Sequence, residues 1–224
     1  MPYPDRMTFA LDKLFKHRYL EAKGGTDECL VLKEQGQYLL IESKESGYTE
    51  LQVQISGTNL CVTAFDRIPV WGIIDDTKEN GMKKGVDHVL FSQKEDGTWK
   101  AYLIEMKTTM SPNSFEHVRA KVRSNYYSVK ALCVYLGISL SDEDLEVYVT
   151  YESLNGPTDP AMMRAPIGTK PTNAIYSEWR KNRITIQIPD DLTLPLVAVQ
   201  MERVPRNGAG ASGSATALVG SIQL

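Results

Sequence analysis

Asp87, Glu105 and Lys107 are the residues whose types and spacing suggest chemistry. Asp87 opens the run Gly85-Val86-Asp87-His88-Val89-Leu90-Phe91, and Glu105-Met106-Lys107 closes the run that begins at Trp99. Both runs read as strands. Between them lies Glu95-Asp96-Gly97, and an Asp-Gly pair flanked by alternating apolar residues is a hairpin signal. Strand side chains alternate between faces, so Glu105 and Lys107 point one way and Met106 the other. Pairing the strands brings Asp87 beside Glu105. Two carboxylates and an ammonium on one wet edge would seat a hard, oxygen-seeking cation such as magnesium. His88 points to the opposite face and reads as structural. The competing interpretation is a surface hairpin whose charges face solvent.

Glu-x-Lys is a short pattern, and the chain repeats it at Glu21-Ala22-Lys23 and Glu42-Ser43-Lys44. The second of these is a rival, because Tyr38 to Lys44 is also strand-like and Asp27 precedes it at a usable distance. Context favours Glu105. After Lys107 comes Ser111-Pro112, a cap followed by a proline suited to the first helical turn. Phe115, Val118, Val122, Tyr126, Val129, Leu132, Cys133 and Leu136 then repeat at helical spacing. Gly137 stops this helix. Ser141 to Asp144 reads as a capped short turn, and Leu145 to Tyr151 is a strand of alternating β-branched and aromatic residues.

The flanking segments complete the frame. Residues 5–22 read as an amphipathic helix capped by Asp5, with Lys13, Lys16, His17 and Arg18 on its solvated side. Residues 28–65 are a β-rich segment punctuated by glycine turns, best explained as an antiparallel meander. It either supplies strands to the main sheet or forms a separate small one. Residues 66–84 are a loop-rich connector containing Trp71 and Asp75-Asp76. A long loop follows residue 152, and strands at 184–188 and 194–201 are expected at a sheet edge. These elements make one domain over residues 1–203. Residues 204–224 form a Gly/Ala/Ser-rich tail, expected to be flexible or ordered only against a neighbouring chain.

Composition narrows the class. The 224 residues carry a formal charge of -3, so the chain does not live by diffuse attraction to phosphates. A nucleic-acid function would need its basic residues gathered in one cleft, or completed by a homo-oligomer or a partner protein. No apolar run approaches the roughly 20 residues needed to span a bilayer. Cys29, Cys61 and Cys133 are odd in number and lack Cys-x-x-Cys spacing, which suggests free thiols and a cytoplasmic location. No Gly-x-x-x-x-Gly-Lys loop or Ser/His/Asp pattern points to nucleotide hydrolysis or nucleophilic catalysis.

Val86-Asp87, then Glu105-Met106-Lys107, then a helix and a strand, resembles the PD-(D/E)xK, or restriction-endonuclease-like, nuclease superfamily. The resemblance covers roughly Gly85 to Tyr151, with Val86 where the family has proline. It implies an α/β fold: a mixed central sheet with flanking helices, here with an added β-rich N-terminal segment. It also implies a Mg2+-dependent (or Mn2+-dependent) nuclease acting on nucleic acid, DNA more often than RNA. Asp87 and Glu105 would then hold the metal, with the Met106 carbonyl as a further ligand, and Lys107 would position or polarise the attacking water. Glu21 would be an auxiliary carboxylate from the early helix. The long helix would lend a further polar residue from among Lys121, Arg123 and Asn125, with Arg119 and Arg123 as nucleic-acid contacts. Small nucleases of bacterial anti-phage systems look similar. The alternative is a catalytically inactive nuclease-fold protein that binds nucleic acid or a protein partner.

Overall fold

The structure is a computed structural model that describes residues 6–10, 30–33, 36–44, 47–62, 65, 85–154, 178–179, 184–188, 192–205 and 216–224. Its centre is the expected hairpin. Strands β5 (His88–Gln93) and β6 (Trp99–Met106) pair antiparallel, with His88 opposite Ile104 and Val89 opposite Leu103. The turn closes where Gly97 adopts φ 82, a left-handed conformation that a side chain would strain. Asp96 accepts from the Thr98 N–H at 2.9 Å, tying the turn to the start of β6.

The helix that follows, α2 (Pro112–Leu136), is made by its ends as much as by its apolar stripe. Ser111 Oγ accepts from Ser114 N at 3.1 Å, and Pro112 occupies the first turn, where its missing N–H costs nothing. At the other end Gly137 has φ 71. There the Ile138 N–H reaches Cys133 O at 2.9 Å and the Gly137 N–H reaches Val134 O, a Schellman closure. Phe115, Val118, Val122, Val129, Cys133 and Leu136 are buried, as their spacing predicts. The helix returns the chain to β8 (Leu140–Tyr151), which runs parallel to β6.

Among the described residues the main sheet has seven strands. β1 (Leu30–Lys33) pairs with β4 (Asn59–Val62), and the order continues through β5, β6, β8, β11 (Thr193–Gln200) and β10 (Ile184–Gln187). A second sheet of four strands stacks on it, in the order β12 (Glu202–Pro205), β13 (Thr216–Gln223), β3 (Gly47–Ile55), β2 (Gly36–Lys44), and β7 (Thr109–Met110) pairs parallel with β9 (Ser153–Leu154) in a third sheet of two strands. The layers are therefore helix, sheet, sheet. Alternation along β5 and β6 sorts residues between two cores. Val89, Phe91, Ala101 and Leu103 pack beneath α2, while Leu90, Tyr102, Ile104 and Met106 pack with Leu40, Leu51, Val53 and Leu218 of the second sheet. Each fully buried aliphatic or aromatic side chain contributes about 1.5–3 kcal/mol relative to exposure, so covering both faces anchors the hairpin firmly. The surface-hairpin interpretation is thereby overturned.

Several expectations need correction. The β-rich segment is not one meander: β1 and β4 join the main sheet, while the β2–β3 hairpin belongs to the second. The described part of the tail from residue 204 is strand as far as Gln223. Residues 216–223 form β13, which lies parallel to β3 with Leu218 opposite Thr49 and Ile222 opposite Val53. Its alternate apolar residues find an apolar sheet, which composition alone did not reveal. Ser141 to Asp144 belongs to β8 instead of forming a turn, passing a register irregularity opposite Trp99 and Ala101. Of the two C-terminal strands in the main sheet, only β10 lies at the edge, since β11 pairs parallel with β8. The first helix is described only as α1 (Arg6–Phe9). Its remainder, the connector at 66–84 and most of the loop after residue 154 lie outside the described residues.

Candidate active site

β5 and β6 run out of apolar residues at the same end of the main sheet. Continuing their register by one residue past His88 and Ile104 sets Asp87 opposite Glu105. Both belong to the rows that face α2, one step beyond Val89 and Leu103. Asp87 is 4% exposed and Glu105 is 0% exposed, so the expected wet edge is a buried one. A carboxylate removed from water must be paired and hydrogen-bonded, or it destabilises the fold by several kcal/mol. These two are.

The Met106 N–H donates to Asp87 Oδ2 at 2.6 Å, stitching the first carboxylate to the backbone that carries the second. Lys107 Nζ pairs with Glu105 Oε1. Lys121, from the middle of α2, donates to Glu105 Oε1 at 2.6 Å and Oε2 at 2.9 Å, and lies 3.7 Å from Asp87 Oδ1. One ammonium thus straddles one carboxylate and leans toward the other. Two carboxylates and two ammoniums leave the cluster formally neutral.

The supporting geometry is specific. Lys107 N–H donates to Thr150 O at 3.1 Å, so the pairing of β6 with β8 extends through Lys107 and sets its direction. Asn125 Nδ2 donates to Lys121 O at 2.6 Å, and its Oδ1 accepts from Val86 N at 3.2 Å. This buried amide pins α2 to the residue before Asp87. Lys121, Ser124, Asn125 and Ser128 are all buried, and they recur at i, i+3, i+4 and i+7. They form a polar stripe beside the apolar one. Ser128 Oγ donates to Ser124 O at 3.2 Å, which satisfies one hydroxyl internally.

Expected site residues therefore divide. Asp87, Glu105 and Lys107 come together, and Lys121, one of the three options on the long helix, joins them from within the core. Met106 contributes its backbone, because its side chain is buried between the sheets. His88 is buried on that same far side, as expected from alternation. Arg119 lies over the Phe115 ring at 4.4 Å and donates to Glu116 at 3.0 Å, and Arg123 donates to Gln187 O at 2.8 Å. Both arginines thus already serve packing contacts along α2. Glu21 and Asp27 lie outside the described residues. The Glu42/Lys44 rival lies on β2, in the second sheet, away from the layer that α2 covers. Asn125 was one of three options on the helix and carries more than its polarity suggested. Its signal in the sequence was the i, i+3, i+4, i+7 recurrence of Lys121-x-x-Ser124-Asn125-x-x-Ser128.

A divalent cation fits this donor set in one respect and is limited in another. Hard cations take carboxylate oxygens, and the position shared by Glu105 and Asp87 already attracts a cation, the Lys121 ammonium. Among the described residues, however, no three His, Cys, Asp or Glu side chains cluster. Magnesium suits such sparse sites, since it keeps several waters and binds one or two carboxylates together with substrate phosphate oxygens.

No protein-family model, curated protein or solved structure matches the chain. Among the described residues no helix is long and apolar enough to cross a membrane.

Proposed function

We propose that this protein is a metal-dependent phosphodiesterase that cleaves nucleic acid, DNA in preference to RNA. The observation that carries the proposal is the convergence of Asp87, Glu105, Lys107 and Lys121 on one buried point, at the end of β6 and under α2. The element order supports it: antiparallel β4, β5 and β6, then α2, then β8 parallel to β6, as the resemblance to PD-(D/E)xK nucleases implies. Asp87 and Glu105 would hold Mg2+ or Mn2+, with the Met106 carbonyl as a further ligand. When bound, the cation supplies Lewis acidity toward the phosphate and lowers the pKa of a coordinated water. Lys107, 22% exposed at its side chain and directed by the Thr150 carbonyl, orients the attacking water or balances charge that develops on the phosphate. With a formal charge of -3, the chain draws its nucleic-acid affinity from local basic groups or from a second copy or partner.

One observation favours a second reading. Lys107 and Lys121 already pair with Glu105, and Lys121 lies 3.7 Å from Asp87, so the formal charges of the cluster balance without a metal. A nuclease-fold protein that only binds nucleic acid or a partner would be built in the same way. Cleavage separates the two. Labelled double-stranded DNA, single-stranded DNA and RNA are incubated with Mg2+ or Mn2+ and wild type, Lys107→Ala or Glu105→Gln. Cutting by wild type alone supports the phosphodiesterase. Metal-independent binding that survives Glu105→Gln, with no cutting, supports the binding protein.

A further inference from the structure

Lys121 is the residue the proposed chemistry leaves without a task, and its position is the most constrained in the cluster. Its Nζ lies 2.6 Å and 2.9 Å from the two Glu105 oxygens and 3.7 Å from Asp87 Oδ1. That is where a cation shared by the two carboxylates would sit. Magnesium requires its oxygen ligands at about 2.0–2.1 Å, so an ion shared by both carboxylates would overlap the point that the Lys121 nitrogen now holds. Metal and Lys121 cannot both stand at this one point.

We propose that Lys121 is a resident counter-cation that a divalent metal must expel, so that metal entry and withdrawal of Lys121 from Glu105 are one event. The inference rests on the site being a divalent-cation seat. The architecture dictates which part of the lysine moves. Asn125 holds the Lys121 carbonyl at 2.6 Å and the Val86 N–H at 3.2 Å, so the α2 backbone cannot retreat from Asp87. The side chain can, because it is 11% exposed and carries its charge on a flexible four-carbon stem. Lys107 already stands nearer to solvent, at 22%, and approaches Glu105 through Oε1. After expulsion the Lys121 ammonium remains at the mouth of the site, where an incoming phosphate would meet it. Without metal the same contact keeps Glu105 paired and the core intact. The device keeps a fully buried carboxylate paired before metal binds, and it makes phosphate capture by Lys121 conditional on metal.

The test reads the lysine itself. Wild-type protein is acetylated with an amine-reactive reagent, with and without Mn2+, and labelling of each lysine is followed by mass spectrometry. Lys121 should be protected without metal and label several-fold faster with Mn2+, while Lys94, on the hairpin turn, stays constant. In parallel, Mn2+ binding is measured by calorimetry for wild type, Lys121→Met and Lys121→Gln; the second keeps an amide donor for Glu105 should the first fail to fold. Removing one positive charge from a desolvated site should tighten Mn2+ binding about tenfold or more. Lys121 that stays protected while Mn2+ binds, or folded variants that bind Mn2+ no better than wild type, would overturn the exchange. Nucleic-acid cleavage with either of those results would leave the phosphodiesterase standing alone. The predicted labelling and affinity without cleavage would support the exchange and sink the nuclease. Absence of Mn2+ binding in all three proteins would sink both.

Discussion

The strut between α2 and β5 can be weighed by replacing Asn125 with leucine, which is similar in size and leaves little cavity. The substitution removes the acceptor that Val86 N–H uses at 3.2 Å and the donor that Lys121 O receives at 2.6 Å. The two losses are unequal. The Lys121 carbonyl keeps its place in the helix ladder and loses only a supplementary bond, worth about 0.5 kcal/mol. The Val86 N–H, buried with its residue at 0% exposure, is left without that acceptor, at a cost of about 1–3 kcal/mol. Together these give about 2 kcal/mol, or a Tm lowered by about 4–8 °C for a chain of this size. Urea unfolding at neutral pH should show a lower midpoint with an unchanged slope, because the surface exposed on unfolding is the same. A loss below about 0.5 kcal/mol, the range of an ordinary surface change, would refute the strut.

Other consequences follow from particular contacts. Gly220 of β13 packs against the Met201 sulfur, where a Cβ would collide; Gly220→Ala should cost about 1–3 kcal/mol by thermal melting, and Met201→Val in the same chain should restore part of it. Burial raises the Cys133 thiol to about 12, and Cys61 is also buried. Neither should react with a thiol reagent at pH 8 in the folded protein, and both should do so in urea, with peptide mapping as the readout. The Asp142 carboxyl is held below its usual range by hydrogen bonds from Lys130 and then Tyr126. A group depressed in the folded state stabilises above its unfolded pKa and loses that stabilisation as pH falls through the folded one. Asp142→Asn should therefore flatten the decline of Tm below about pH 4. The exposed setting keeps the difference under about 1 kcal/mol.

What could be read from the chain was what local chemistry dictates. The Asp96-Gly97 turn, the Ser111-Pro112 start, the Gly137 stop and the apolar stripe of α2 each act within a few residues, and each appears where its signal lies. Strand alternation likewise placed Glu105 and Lys107 together and Met106 and His88 opposite. What long-range pairing decides was not legible. Nothing local tells β1 to choose β4 over β2, or lets β13 add itself parallel to β3 across a long sequence separation. Burial of the far face of the hairpin was missed for the same reason. The hairpin looked half-solvated because its second cover is supplied by strands from both ends of the chain. Lys121 stood only as one of three options on the helix, because charge on a helix usually marks a solvated flank. Its companions Ser124, Asn125 and Ser128, at helical spacing, were the sign that this flank faces the sheet.

Everything proposed for this site turns on whether Asp87 and Glu105 hold a divalent cation. Crystals soaked in Mn2+ and measured for anomalous scattering would answer it directly. The prediction is one peak within bonding distance, about 2.2 Å, of oxygens from both carboxylates, with Lys121 withdrawn from Glu105 and the peak absent in Asp87→Ala. An unbroken Lys121–Glu105 pair with no peak between the carboxylates would contradict it, and would leave a buried ion cluster whose role is structural.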